Sequence, residues 1–202
     1  HDSLGVGADL QDHYQARAVV ELNRAISVND DINNLVRRAW VGLQYGLFRR
    51  GPMTFSAGHV GVFTKVLPES ATPDVQVHFI PFSATSLGGS LHPFSGVTIS
   101  VCQPRPESRG SIMINSADPL AHPTIIPNYL DTDYDRRIMI EGLRMVRRIT
   151  EQPAFANYVM KEHEPGSDKI TDEALLEYAR NKGNTIFHPT STCRMGSDPR
   201  AV

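Results

Sequence analysis

An α+β fold, a largely antiparallel β-sheet with helices packed on one face, is what this 202-residue sequence predicts. Three observations carry it. Val75, Val77 and Phe79 alternate with Gln76, His78 and Ile80, and Val97, Ile99 and Val101 alternate with Thr98, Ser100 and Cys102, the period-two pattern of strands with one face on a core. Apolar residues recur at helical spacing in the segments that begin at Asp30 and at Thr132. Strands and helices do not alternate regularly, which argues against a parallel sheet. No internal repeat is visible, and residues 1–202 read as one domain.

The chain opens on Gly5-Val6-Gly7-Ala8-Asp9-Leu10-Gln11-Asp12-His13. A dinucleotide loop needs a third glycine where Leu10 stands, so the GxG predicts a tight turn rather than a phosphate cradle. Asp12 and His13 have the chemistry of an acid–base pair. Neighbours on an extended chain point to opposite sides, however, and a structural hydrogen-bonding role is expected. Residues 14–22, with β-branched Val19 and Val20, read as a strand. Asp30 and Asp31 then start a helix whose apolar face is Ile32, Leu35, Val36, Ala39, Leu43 and Leu47, with Trp40 packing and Gly51-Pro52 ending it. Residues 58–65 read as another strand, whose glycines signal the close approach of a backbone or ligand to His59. The serine- and glycine-rich stretch 83–95 is a loop, either a lid over a pocket or a bare surface segment.

Glu107-Ser108-Arg109-Gly110 predicts a turn, and residues 111–115 a short strand in a hairpin with the strand before it. Residues 116–130 carry three prolines and no periodicity, a connector. Thr132, Asp133 and Asp135 supply the N-terminus of a long helix with Ile138, Met139, Leu143, Val146 and Ile149 on its apolar face and Pro153 at its end. Its five arginines, Arg136, Arg137, Arg144, Arg147 and Arg148, are interrupted by acids and read as a solvated face. A second helix begins at Thr171-Asp172-Glu173, stops at Gly183 and delivers the chain into Thr185-Ile186-Phe187-His188.

Composition narrows the function classes. With 20 Lys and Arg against 22 Asp and Glu, the formal charge of −2 provides no field for nucleic acid or an anionic membrane. No run reaches the roughly 18 apolar residues that read as a membrane span. The two cysteines, Cys102 and Cys193, form no CxxC pair, which favours a reducing, cytoplasmic compartment. Starting at His1 without methionine and stopping at Val202 without a tail, the chain reads as an interior piece of a longer protein.

Chemistry concentrates in Phe187-His188-Pro189-Thr190-Ser191-Thr192-Cys193-Arg194-Met195-Gly196. Histidine is the usual general base near neutral pH, Pro189 holds His188 extended, and three hydroxyl residues stand ready to orient a ring or a ligand. The residues alone leave His188 open between a general base and a satisfied buried histidine. Cys193 has no cysteine-protease context, Ser191 is not in a GxSxG elbow, and His59, His78 and His92 lack metal-ligand spacing.

The His188–Gly196 stretch resembles the C-terminal active-site motif of the glucose–methanol–choline (GMC) oxidoreductases, flavoenzymes that oxidise alcohols. Three more segments resemble the family in order: residues 5–13 its GVGxNLQDH, residues 103–110 its RPxSRG turn, and Ser116-Ala117-Asp118-Pro119-Leu120 with Pro127-Asn128-Tyr129-Leu130 its SADP…PNYL connector. The resemblance implies that the chain is a substrate-binding domain. It implies FAD in the parent protein, a small-molecule alcohol as substrate, and an FAD domain of the same protein as partner, outside this chain. It further implies that His188 is the base taking the alcohol proton while hydride goes to the flavin N5. His59, Ile186 and Phe187 would line the substrate pocket, and an apolar surface would surround His188 and His59.

Two departures stand out. Choline-oxidising members carry a glutamate where His59 stands, and a histidine does not neutralise a quaternary ammonium as a carboxylate does, so choline is disfavoured. Asp9 replaces the usual asparagine, for which the sequence offers no reason. A stand-alone binding module that kept the fold without redox chemistry is the rival reading.

Overall fold

The computed structural model describes residues 3–202; His1 and Asp2, on which the expectation of an interior start partly rests, lie outside the described residues. Its centre is β1 (Tyr14–Leu22), which pairs antiparallel on one edge with β4 (Gly96–Cys102) and on the other with β7 (Val159–Glu164). Outside β4 come β3 (Val75–Ile80) and β2 (Val60–Thr64), giving the order β2-β3-β4-β1-β7, with the two-residue β8 (Asn184–Thr185) paired to the start of β1. Every one of these pairings is antiparallel, as expected.

Period-two patterning sorts the two faces of this sheet. Ala16 and Ala18 pair with Val101 and Ile99, and Val77 with Val101, so these side chains share one face. Onto it pack α3 (Asp133–Thr150) and α5 (Asp172–Lys182), whose Ile138, Met139, Leu143, Val146, Leu175 and Ala179 complete the buried core. Each of the larger side chains, Ile, Leu, Val or Met, contributes roughly 1.5–3 kcal/mol on burial. Contact is close enough that a Cβ on Gly142 would meet Val75 and Val101 at 3.3 Å. Both helices start where the sequence places them, with Thr132 accepting from the Asp135 amide and Thr171 from that of Ala174. The opposite face presents Gln15, Arg17, Gln76, His78, Thr98 and Ser100, and it carries neither α3 nor α5.

Several expectations are corrected. The helix read from Asp30 onward is two, α1 (Val28–Asn33) and α2 (Leu35–Phe48), because the Asn34 side chain caps the second by accepting from the amides of Val36 and Arg37. Trp40 does not pack. It is 55% exposed, and Leu35, Val36, Leu43 and Leu47 are exposed beside it, since α2 leans on α1 and the turn at Pro52–Thr54 rather than on the sheet. β4 is buried at every residue, not on one face: on the far face Thr98 donates to the Phe82 carbonyl under the 83–95 loop and Ser100 lies beside His78. The short strand β5 (Ser111–Met113) pairs forward, not backward. Its partner is β6 (Thr124–Ile126), inside the stretch read as a connector. Four of the five arginines of α3 are tied to acids: Arg136 to Asp133, Arg137 to Glu69, Arg144 to Glu141 and Asp172, and Arg147 to Glu162.

Candidate active site

The two ends of the chain meet. Gly7 donates its amide to the Thr192 carbonyl at 2.8 Å, while Gln11 and Thr190 exchange both backbone hydrogen bonds, so the opening GxG segment lies against the stretch after His188. On its other side Leu10 exchanges backbone bonds with Gly110, at the end of the RPxSRG turn. Gly110 must be glycine here, since a Cβ would fall 2.1 Å from the Ile126 carbonyl oxygen.

Asp12 ties these segments together. Nearly buried, its Oδ1 accepts from the amides of His13 at 2.9 Å and His188 at 3.0 Å. Its Oδ2 accepts from the hydroxyls of Tyr129 and Thr185, both at 2.5 Å. A carboxylate with this many donors is held strongly in place. Burial, and after it the bond to Asp12, pushes the Tyr129 phenol up to about 12, so Tyr129 remains a donor across the neutral range. The expected structural role of Asp12 is thus visible in detail, and PNYL enters the site through Tyr129.

The turn that presents His188 is strained. Phe187 adopts φ 62°, a left-handed conformation that costs a bulky L-residue roughly 1–2 kcal/mol. Two bonds hold it there: the Phe187 amide donates to Thr185 Oγ1 at 2.7 Å, and the His188 amide to Asp12. Such strain clusters where a side chain must be aimed. His188 and Phe187 are both exposed, and Ile186 is half-buried, its amide on the His13 carbonyl at 3.1 Å.

The sequence considers His13 only as a pair with Asp12; in the structure its ring meets that of His188. Its ring lies edge-on to that of His188, centroids 5.4 Å apart, with the two Nδ1 atoms 3.3 Å from each other. Its Nε2 lies 2.9 Å from the Pro104 carbonyl oxygen. His78 was read only as the polar phase of a strand. It stands on the face that α3 and α5 leave bare, opposite Gly61 and Ser100, with Nδ1 3.4 Å from Ser100 Oγ. Burial lowers its pKa, and the charges of His188 and His13 lower it further. The signal for His13 was its place at the end of the 5–13 motif beside Asp12, and that for His78 a titratable group in the polar phase of a strand.

His59 is not joined to His188. It directly precedes β2, and its ring partner is Phe55 at 4.6 Å. Phe55, Phe63 and Phe187 are exposed, Phe55 against the His59 ring and Phe187 next to His188 along the chain. Nearby, the 83–95 loop covers a cavity of about 210 Å³ lined by Gln15, Arg17, Ile80, Leu87, Leu91 and Thr98. Its base is pinned by Asn29, which donates to the Ser83 and His92 carbonyls at 2.8 and 2.9 Å.

Two readings of the first residues are resolved. The GxG is packed, not open. A Cβ on Gly5 would lie 1.9 Å from the Arg200 carbonyl oxygen and one on Gly7 2.0 Å from that of Ile112, which leaves no room for phosphate. Asp9, at φ 58°, also acquires its reason: its carboxylate pairs with Arg194 at 3.2 Å and Arg200 at 2.8 Å, which an asparagine would not do as an ion pair.

His78 yields a pH prediction. Its folded pKa lies below the ordinary value of about 6.5, so below that pH the unfolded chain binds the proton more readily. The stability associated with neutral His78 is fully present above about pH 6.5 and falls as acid is added through the lowered value. Urea unfolding followed against pH is expected to show this slope, and His78→Gln to flatten it. An unchanged slope in the variant would assign the effect to other groups.

Comparison with known proteins agrees with the geometry. Residues 106–202 match the GMC oxidoreductase family model for the C-terminal part. An alcohol dehydrogenase [acceptor] of Pseudomonas putida is 34% identical over all of this chain and 37% of its own length. An oxygen-dependent choline dehydrogenase of Paraburkholderia phytofirmans is likewise 34% identical over all of this chain and 36% of its length. The chain therefore spans little more than a third of these relatives. Among solved structures, a formate oxidase of Aspergillus oryzae superposes on 96% of this chain and 38% of its own, at TM-score 0.85 and 24% identity. The pyridoxine 4-oxidase from Mesorbium loti covers 100% of this chain and 35% of its own, at TM-score 0.78 and 21% identity, and both likenesses bear on the fold alone. The sheet, the converging motifs and the whole-chain relatives together make this chain a member of the GMC oxidoreductase family.

Proposed function

We propose that this chain forms the substrate-binding part of an FAD-dependent alcohol oxidoreductase in which His188 is the general base. The observation that supports the reading most is the exposed His188 ring, aimed by a strained turn whose backbone Asp12 holds, with the His13 ring beside it. In the step inferred, the hydroxyl proton of the alcohol passes to His188 as the carbon–hydrogen bond gives up hydride. FAD, when bound, supplies the acceptor for that hydride. The described residues fit a wall over such a group, with an exposed phenyl at Phe187 and a ring nitrogen beside it, and do not fit its phosphates, because the GxG is closed. The phosphates would be held by the rest of the parent polypeptide, which makes the flavin domain this chain's natural partner.

Ile186 and Phe187 immediately precede the base along the chain, and His59 stands beside the exposed Phe55. A neutral alcohol suits these walls better than choline, since no carboxylate takes the position of His59. Cys102 and Cys193 are both free, which fits a cytoplasmic location for the parent protein. No helix among the described residues is long and apolar enough to cross a membrane.

Anaerobic mixing of the full-length flavoprotein with a panel of aliphatic and aromatic alcohols and choline tests the proposal. Loss of the oxidised-flavin absorbance with neutral alcohols, and little with choline, is expected. An absorbance that no alcohol changes would overturn the assignment.

A further inference from the structure

We infer that His13 is a positioning residue that fixes which nitrogen of His188 carries the proton, and so leaves His188 Nε2 bare to act as the base. The inference rests on the reading of His188 as base and adds to it the device that sets its tautomer.

A carbonyl oxygen only accepts hydrogen bonds. The Pro104 carbonyl, 2.9 Å from His13 Nε2, therefore requires the proton on that nitrogen. A neutral His13 then has a bare Nδ1. Among the described residues the partner facing that lone pair is His188 Nδ1 at 3.3 Å, which is then the donor. With its proton on Nδ1, neutral His188 has its lone pair on Nε2, the ring atom farther from the backbone. Two bonds thus write a proton arrangement running from a backbone carbonyl to the reactive nitrogen, as a second partner does for many functional histidines.

The backbone that makes this pairing is itself fixed. Asp12 Oδ1 takes both the His13 and the His188 amides, so one carboxylate oxygen holds the two ring-bearing residues side by side. Ile186 adds a bond to the His13 carbonyl at 3.1 Å. When His188 accepts the alcohol proton at Nε2, its Nδ1–H still points at the His13 lone pair. That bond becomes charge-assisted and stronger, and it stabilises the imidazolium as it forms. No proton leaves His13 in this step: one O–H bond breaks, one N–H bond forms on His188, and His13 remains neutral.

The test uses the full-length flavoprotein labelled with ¹⁵N-histidine, the His188 signals being assigned by their loss in His188→Ala. At a pH where His188 is neutral, the spectrum is expected to show its proton on Nδ1. A proton on Nε2 in the native protein overturns the inference, and does so without touching the base assignment, which fails separately if His188→Ala leaves turnover intact. Two variants add kinetics. His13→Gln keeps an amide N–H for Pro104 and an oxygen for His188 and is expected to retain kcat within a few-fold, whereas His13→Leu keeps neither. His13→Leu is expected to lower kcat by roughly 10- to 1,000-fold with KM little changed, as for a base left in the wrong tautomer. An unaltered kcat–pH profile in His13→Leu, with flavin absorbance confirming the folded holoprotein, would equally overturn it.

Discussion

His188→Ala in the full-length flavoprotein is expected to lower kcat with alcohols by roughly 10²- to 10⁴-fold, the range for loss of a general base. The fold should not change, because His188 is exposed and the bond that anchors its turn comes from the backbone amide, which alanine retains. Phe187 stays in its left-handed conformation for the same reason, its amide still on Thr185. Substrate affinity is expected to change little, since the walls at His59 and Phe187 are intact, and the loss should therefore fall on kcat rather than KM. Flavin absorbance and melting temperature matching the native protein would confine the effect to chemistry. Turnover within a few-fold of native would remove His188 from the role of base and return it to that of a surface histidine.

The fold was legible where one face of an element is buried and faint where pairing alone decides. Val75–Ile80 and α3 could be read because burial on the core face imposes period two and period 3.6 on their residues. β6 and β7 left no such trace. Thr124–Ile126 is exposed throughout and held by its ladder to β5, and Val159–Glu164 is mostly polar because it lies at the sheet edge, with Glu162 turned to Arg147. The break at Asn34 illustrates a second limit. A capping side chain interrupts a helix without interrupting its apolar period, so one long helix was read where two exist.

The site was legible by motif and obscure by geometry. His188 stands out through its neighbours along the chain, but His13 lies 175 positions away and meets it through the Gln11–Thr190 pair and the bonds of Asp12 and Ile186. Asp12 and His13 act through different groups: the carboxylate holds the backbone of His188, the imidazole its ring. What no local rule foresees is that both actions converge on one residue. The same holds for Tyr129, 117 positions from Asp12, whose motif had no evident purpose until its hydroxyl was seen on the Asp12 carboxylate.

Asp135→Ala is expected to be the most destabilising of the single changes considered, by about 3 kcal/mol or more, because it strips the acceptor from several donors at once. The Asp135 carboxylate is 2% exposed. Its Oδ1 accepts from the Glu107 amide at 2.9 Å, and its Oδ2 from both the Ser108 amide at 2.8 Å and the Ser108 hydroxyl. That hydroxyl cannot turn away profitably, since its oxygen also accepts from the Asp131 amide at 3.0 Å and the Thr132 amide at 3.3 Å. Alanine leaves these donors without the carboxylate that satisfies them, and it removes an acid from the first turn of α3. Asp135→Asn separates the two contributions. It offers one oxygen, but whichever way the amide is turned its NH2 confronts a donor, so an intermediate loss is expected. Urea midpoints at constant m measure both. The damage should also reach the active site, because the turn that Asp135 holds ends at Gly110, which is bonded to Leu10 two residues before Asp12. A loosened turn would let Asp12 drift from the His188 amide, and kcat should fall in Asp135→Ala even below its melting temperature. Native stability in that variant would mean that Ser108 finds another acceptor, and the RPxSRG turn would then need a different anchor.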